Sequence, residues 1–174
     1  MKVFVLGESR TGTTSVHEYL CRSGLKAIHY YVAESGVTEP IHKHRASNWA
    51  KVRRFIDESG YDAFSDYPTR MFFRELGSLY PNACFILTVR QDVATWRSSM
   101  AVLLGERHDS LDLLQAYYLC FNEEIRCNCA DLGLRFLEIC IDDDAEQNAR
   151  KIGGFLGVDG GGSLLRLNAS AVHR

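Results

Sequence analysis

The sequence predicts an α/β fold in which a parallel five-stranded sheet is covered by helices on both faces. Three observations lead there. Short β-branched or aromatic runs alternate with longer stretches of helical period, the pattern of repeated strand–helix units. The run "FILTV" at 85–89 is apolar without alternation, which suits a central parallel strand covered on both sides. The first strand passes through a glycine-bearing turn straight into a helix, in "VFVLGESRTGTTS".

Taken in order, the strands are expected at 2–6, 26–31, 61–65, 83–89 and 134–141. Helices are expected at 13–24, 47–59, 69–80, 92–104, 111–131 and 145–157. Right-handed crossovers then place helices on both faces and bring the strand C-terminal ends to one active edge. Residues 32–46, "VAESGVTEPIHKHRA", have no clear period and read as a loop or lid. "DGGG" at 159–162 breaks the last helix, and residues 159–174 read as a short strapped-down tail.

Composition bounds the rest. A chain of 174 residues with 46% apolar content is sized for one domain, 1–174. Lys and Arg total 20 against 22 Asp and Glu, so no broad positive surface points to nucleic acid as a partner. The apolar start ends at Gly7 and is followed by Glu8 and Arg10, unlike a secretory signal. No run approaches membrane-spanning length, and a cytoplasmic protein is expected. The six cysteines read as reduced, mostly buried thiols; "CNC" at 127–129 lacks the second ligand pair that a zinc site needs.

The loop at 7–15, "GESRTGTTS", nearly has the spacing of a phosphate-binding loop. Gly7, Gly12 and Thr14 fit, but Thr13 stands where lysine belongs. Such a loop turns backbone N–H groups around an anion and adds the positive end of the next helix. The plain alternative is a strand-to-helix turn with a threonine cap. Without the lysine, the case for a nucleotide kinase or NTPase weakens, because that group reaches the terminal phosphates. Further on, Arg90 ends a strand and Ser98 lies eight positions later, two turns along the next helix, where both can meet one phosphate.

"RTGTTS", "SDYP" and the Arg90/Ser98 pair, in that order, resemble the sulfotransferases that use 3′-phosphoadenosine 5′-phosphosulfate (PAPS), especially compact bacterial-type members. The resemblance runs from residue 3 to about residue 158 and includes "FLEICIDDDAEQNARKIGGFLGV". It implies a P-loop NTPase-like fold, PAPS as co-substrate and no metal. It also implies that Arg10, Thr11, Gly12, Thr13, Thr14 and Ser15 hold the 5′-phosphosulfate, while Arg90 and Ser98 hold the 3′-phosphate. Arg10 replaces the lysine of cytosolic animal enzymes; its guanidinium can span the leaving phosphate and the sulfuryl oxygens. The acceptor is a hydroxyl or amine on a small molecule or glycan. A non-catalytic nucleotide-binding module and a metal-dependent kinase are the competing readings.

Asp66 of "SDYP" aligns with the family's base-bearing step and is the candidate general base. Asp before Pro is also a common helix start, so a capping role stays open. His17 reads as packed or solvated; His42 and His44 sit in the lid segment, where they can contact an acceptor but lack the third ligand of a metal site; Asp142, Asp143 and Asp144 read as a solvated turn and helix start. Some of the aromatics in "HYY" at 29–31, with Trp49, Tyr67, Phe72 and Phe73, are candidates to line an acceptor pocket. Ser15 stands where cytosolic enzymes stack a tryptophan on adenine, and the tail residues Arg166, Asn168 and Arg174 are the candidates to finish the 3′-phosphate site.

Overall fold

A computed structural model describes residues 1–105, 110–159 and 162–167. Five parallel strands form one sheet: β1 (Val3–Val5), β2 (Ala27–His29), β3 (Ala63–Ser65), β4 (Cys84–Val89) and β5 (Arg135–Cys140). Their order is β2-β3-β1-β4-β5. Each strand lies inside its expected range. β1 pairs with β3 and with β4, Val5 opposite Ser65 on one side and Ile86 on the other, so the loop leaving β1 emerges in the middle of the sheet edge.

The helices are α1 (Thr13–Arg22), α2 (Val32–Ser35), α3 (Arg45–Glu58), α4 (Phe73–Leu79), α5 (Val93–Leu104), α6 (Leu111–Asp131) and α7 (Ala145–Leu156). Alternate strand residues point to opposite faces, and two core layers result. Phe4, Leu6, Phe85 and Leu87 pack with Val52 and Ile56 of α3, Leu76 of α4 and Ile125 of α6. Val3, Val5 and Ile86 pack with Val16 and Leu20 of α1 and Ile152 of α7. A third cluster joins Trp96 and Met100 of α5 to Leu111 and Tyr118 of α6.

Three expectations need correction. Residues 32–46 are not an unstructured loop: they hold α2, a 3-10 turn at Ile41–His44 and the first turn of α3. Four-residue helical turns are too short to imprint a period, and buried Asn48 fixes them by bonding both the N–H and the carbonyl of Thr38. The helix expected at 69–80 divides into a 3-10 turn, Thr69–Phe72, and α4. Of the six free thiols, Cys84 and Cys129 are buried and Cys140 half-buried, whereas Cys21, Cys120 and Cys127 are exposed. Two residues apart on a helix, Cys127 and Cys129 face different ways, and burial pushes the Cys129 thiol up to about 11.

The described part of the tail is strapped down. Leu164 is buried in the α1/α7 layer, Arg22 Nη2 donates to Ser163 O at 2.8 Å, and the Leu167 N–H reaches Ser15 Oγ at 3.2 Å. Asn168 and Arg174 lie outside the described residues. Among the described residues no helix is long and apolar enough to cross a membrane.

Candidate active site

The loop between β1 and α1 is shaped by what it packs on. A Cβ at Gly7 would strike Thr88 Oγ1 of β4, and one at Gly12 would strike Ile141. Gly12 is left-handed, with φ 88°. Thr11 is fully buried: its hydroxyl donates to Glu8 O at 2.6 Å and pairs with Thr88 Oγ1 at 2.8 Å. Glu8 turns inward to form an ion pair with Arg70, whose side chain is wholly buried. The Arg70 guanidinium also lies over the rings of Tyr67, Tyr117 and Phe121, at 4.9, 5.5 and 4.6 Å from their centres. Burial lowers its pKa to about 10, so it remains charged at neutral pH.

Helix α1 begins directly after this loop with no side-chain cap and no acid in its first turn. By contrast α5 and α7 are capped by Asp92 and Asp144, which accept from the N–H groups of Thr95 and Gln147. The threonine cap that would have explained the loop plainly does not form. The first-turn amides of α1 therefore present the helix's positive end to the space above the sheet.

That space is a cavity of about 890 Å³ at the C-terminal edge of the strands. Arg10, Gly12, Thr13, Thr14, Ser15, Asp66, Arg90 and Ser98 all line it, and Thr11 does not. Among the described residues, Arg10, Tyr30 and Asp66 are the non-glycine residues with positive φ, at 68°, 51° and 63°. They follow β1, β2 and β3 at this one edge. Left-handed geometry costs an ordinary residue about 1–2 kcal/mol, and such costs cluster where a site needs them.

On the β4 side, Arg10 Nε donates to Ser99 Oγ at 2.9 Å, and Arg90 Nη1 donates to Arg10 O at 3.2 Å. Trp96 Nε1 donates to Ser9 O at 3.1 Å. Its ring stacks on Tyr118, 4.5 Å between centres, and the Tyr118 hydroxyl accepts from the Arg90 N–H. Arg90 also makes a two-pronged ion pair with Asp142, both bonds 2.8 Å. Burial raises the Asp142 carboxyl, but bonds from Arg90 and from the Gln91 N–H outweigh that and hold it below the ordinary value. Ser98 lies on the cavity wall and is exposed. Arg166 of the tail faces the same cavity.

On the β3 side, Asp66 Oδ2 lies 3.3 Å from Thr13 Oγ1 and 3.3 Å from His29 Nε2. Its Oδ1 accepts from the Tyr67 N–H at 2.8 Å. The turn at Thr69–Phe72 has Pro68 at its N-cap and no side-chain cap bond, so Asp66 does not cap it.

Several groups escaped the sequence reading. Asp142 is not a solvated turn residue but the partner of Arg90, whereas Asp143 pairs with Lys151 at 3.5 Å and Asp144 caps the start of α7, as expected from the sequence. Of the aromatic candidates, Tyr30, Tyr31, Trp49, Tyr67, Phe72 and Phe73 do not line the cavity, whereas His29 of the same "HYY" stretch does. Ser99, Trp96 and His29 are single residues inside regular elements, and no spacing marks them. Asp142 follows a strand, but nothing in the sequence places that strand beside the one that leads into Arg90.

A family model described as "Sulfotransferase domain" matches residues 2–153. No curated protein matches the chain closely.

The Glu8–Arg70 pair makes a measurable claim about stability. Arg70→Ala strands a carboxylate in the core and should lower the unfolding free energy by about 3–5 kcal/mol. Glu146→Ala, which opens the exposed Arg150–Glu146 pair, should barely move the midpoint. Urea unfolding of both variants makes the comparison; equal midpoints for Arg70→Ala and the unaltered chain would show that the pair holds nothing in place.

Proposed function

The chain belongs to the sulfotransferase family, and from that premise we propose that it moves a sulfuryl group from PAPS to an acceptor hydroxyl or amine, in line and without a metal. The observation that carries the reading is the single cavity in which the uncapped start of α1, the Arg90/Ser98 wall and Asp66 meet. Gly12, where a side chain would strike Ile141, lets the left-handed turn pack against that residue and leaves the backbone of the loop on the cavity wall.

In this reading residues 10–15 receive the 5′-phosphosulfate. The backbone of Thr11 takes part while its side chain anchors the loop, and the tail holds the Ser15 hydroxyl near it. Three of the five N–H donors of Arg90 are engaged by Asp142 and Arg10. The other two, with the Ser98 hydroxyl, are offered to the 3′-phosphate. PAPS supplies a sulfuryl group on a good leaving phosphate. Arg10 stabilises the charge that develops on that phosphate, and Asp66 takes the acceptor's proton.

The direct test incubates the protein with sulfur-labelled PAPS and a panel of 4-nitrophenol, a simple alcohol, a monosaccharide and a chitooligosaccharide, with EDTA throughout. Label should pass to an acceptor of the panel. Turnover of ATP with magnesium instead would favour the kinase reading, and PAPS that binds and persists would favour the binding module.

Two variants locate the chemistry. Arg10→Ala should lower turnover about 10²-fold or more while weakening product-nucleotide binding much less. Asp66→Asn should lower turnover about 10²- to 10⁴-fold with little change in stability, since its neighbours remain in place. Near-normal turnover in either variant at saturating donor removes that residue from catalysis.

Recognition of the 3′-phosphate separates a PAPS enzyme from an ATP enzyme with the same loop. Adenosine 3′,5′-bisphosphate should bind well without magnesium and 5′-AMP much more weakly. Arg90→Ala should cost about 1.5–3 kcal/mol against the bisphosphate and little against 5′-AMP. The upper end is favoured because Asp142 is left uncovered beside the phosphate. Titration calorimetry of both proteins with both nucleotides decides; equal losses for the two ligands would place Arg90 outside the phosphate site.

A further inference from the structure

We propose that His29 is a positioning residue for Asp66, holding its carboxylate in the geometry of a base. The inference rests on Asp66 as the base and adds the group that controls it.

Three atoms form a closed triangle. Asp66 Oδ2, Thr13 Oγ1 and His29 Nε2 are each 3.3 Å from the other two. The Thr13 hydroxyl donates to Asp66, so the hydrogen on its oxygen is spent there. The one arrangement that leaves no lone pairs opposed has the N–H of His29 at Nε2, directed at the Thr13 and Asp66 oxygens. Asp66 Oδ1 is held separately by the Tyr67 N–H. The carboxylate is thus fixed from three elements: the start of α1, the end of β2 and the turn after β3. A hydrogen bond of this kind to one oxygen fixes which lone pairs remain for a substrate proton.

The step it serves balances as follows. An acceptor lone pair forms the new O–S bond as the S–O bond to the 5′-phosphate breaks, with its electron pair leaving on that phosphate. The acceptor's proton passes to the Asp66 carboxylate and then to solvent. The N–H of His29 orients the carboxylate toward the acceptor's proton.

The groups facing His29 are few. Asp66 and Thr13 touch it, the ring of His17 on α1 lies 5.6 Å away between centres, and Arg10 lines the same cavity. Glu18 acts on His17, where burial, and then the charge of His29, lowers the pKa and Glu18 opposes them.

The test uses the panel acceptor that turns over fastest, or water attacking PAPS where that is faster. His29→Ala should lower kcat about 10- to 100-fold while acceptor KM and bisphosphate affinity by calorimetry stay unchanged. His29→Gln, which restores an N–H near the Nε2 position but does not titrate, should recover most of the loss. A normal kcat in His29→Ala, or a loss in His29→Gln as deep as that in His29→Ala, overturns the proposal. Full turnover in Asp66→Asn would instead overturn the base assignment on which it rests, and the two failures are distinct.

Discussion

The ion pair between Glu8 and Arg70 is the constraint on which the site depends. A carboxylate and a guanidinium withdrawn from water are tolerated only while each satisfies the other, because removing one partner strands a buried charge. Glu8 belongs to the loop after β1, and Arg70 to the turn after β3. The pair therefore pins the phosphate-type loop to the segment that presents Asp66. The rings of Tyr67, Tyr117 and Phe121 around Arg70 exclude water and supply a favourable face for its charge. The same loop is tied on its other side through Ser9 to Trp96, and through Thr11 to Thr88. Held from both flanks, it can keep Arg10 and Gly12 in left-handed conformations that a free chain would leave.

Charge in the cavity is balanced rather than uniformly positive. Arg10, Arg90 and Arg166 face Asp66, Asp92 and Asp142. A site for a multiply charged nucleotide would gain more attraction if Asp142 were neutral. What Asp142 contributes is direction: the two-pronged contact fixes the plane of the Arg90 guanidinium, and a planar fork aimed in advance loses less freedom when it meets a phosphate. The oriented amides at the start of α1 supply further attraction without adding a side-chain charge.

Much of the fold was legible because its causes are local. β1 and β4 are fully buried and unbroken in their apolar character, so "VFVL" and "FILTV" announced themselves, and Gly7 and Gly12 marked the loop because no other residue fits there. The segment 32–46 was illegible for the opposite reason: its turns are four residues long and are stabilised by Asn48 from the following helix. Arg10, Asp66, Arg90 and Ser98, picked out by motif order, all line the cavity. His29 and Asp142 could not be picked out so, since their meaning lies in partners 37 and 52 positions distant, across neighbouring strands. Sequence spacing does not encode which strands become neighbours.

The strand order β2-β3-β1-β4-β5 turns these separate contacts into a division of labour. β1 lies in the middle, so its loop occupies the centre of the edge, where connections diverge to the two sides. The strands on one flank end in His29 and lead into Asp66, the groups suited to handling a proton. The strands on the other flank lead into Arg90 and Asp142, the groups suited to gripping an anion. Thr13 touches the first set through Asp66, and the Arg10 carbonyl touches the second through Arg90. Exchanging the positions of β3 and β4 beside β1 would exchange these two flanks, so the topology of the sheet, more than any single motif, sets His29 and Asp66 opposite Arg90 and Asp142 across the loop.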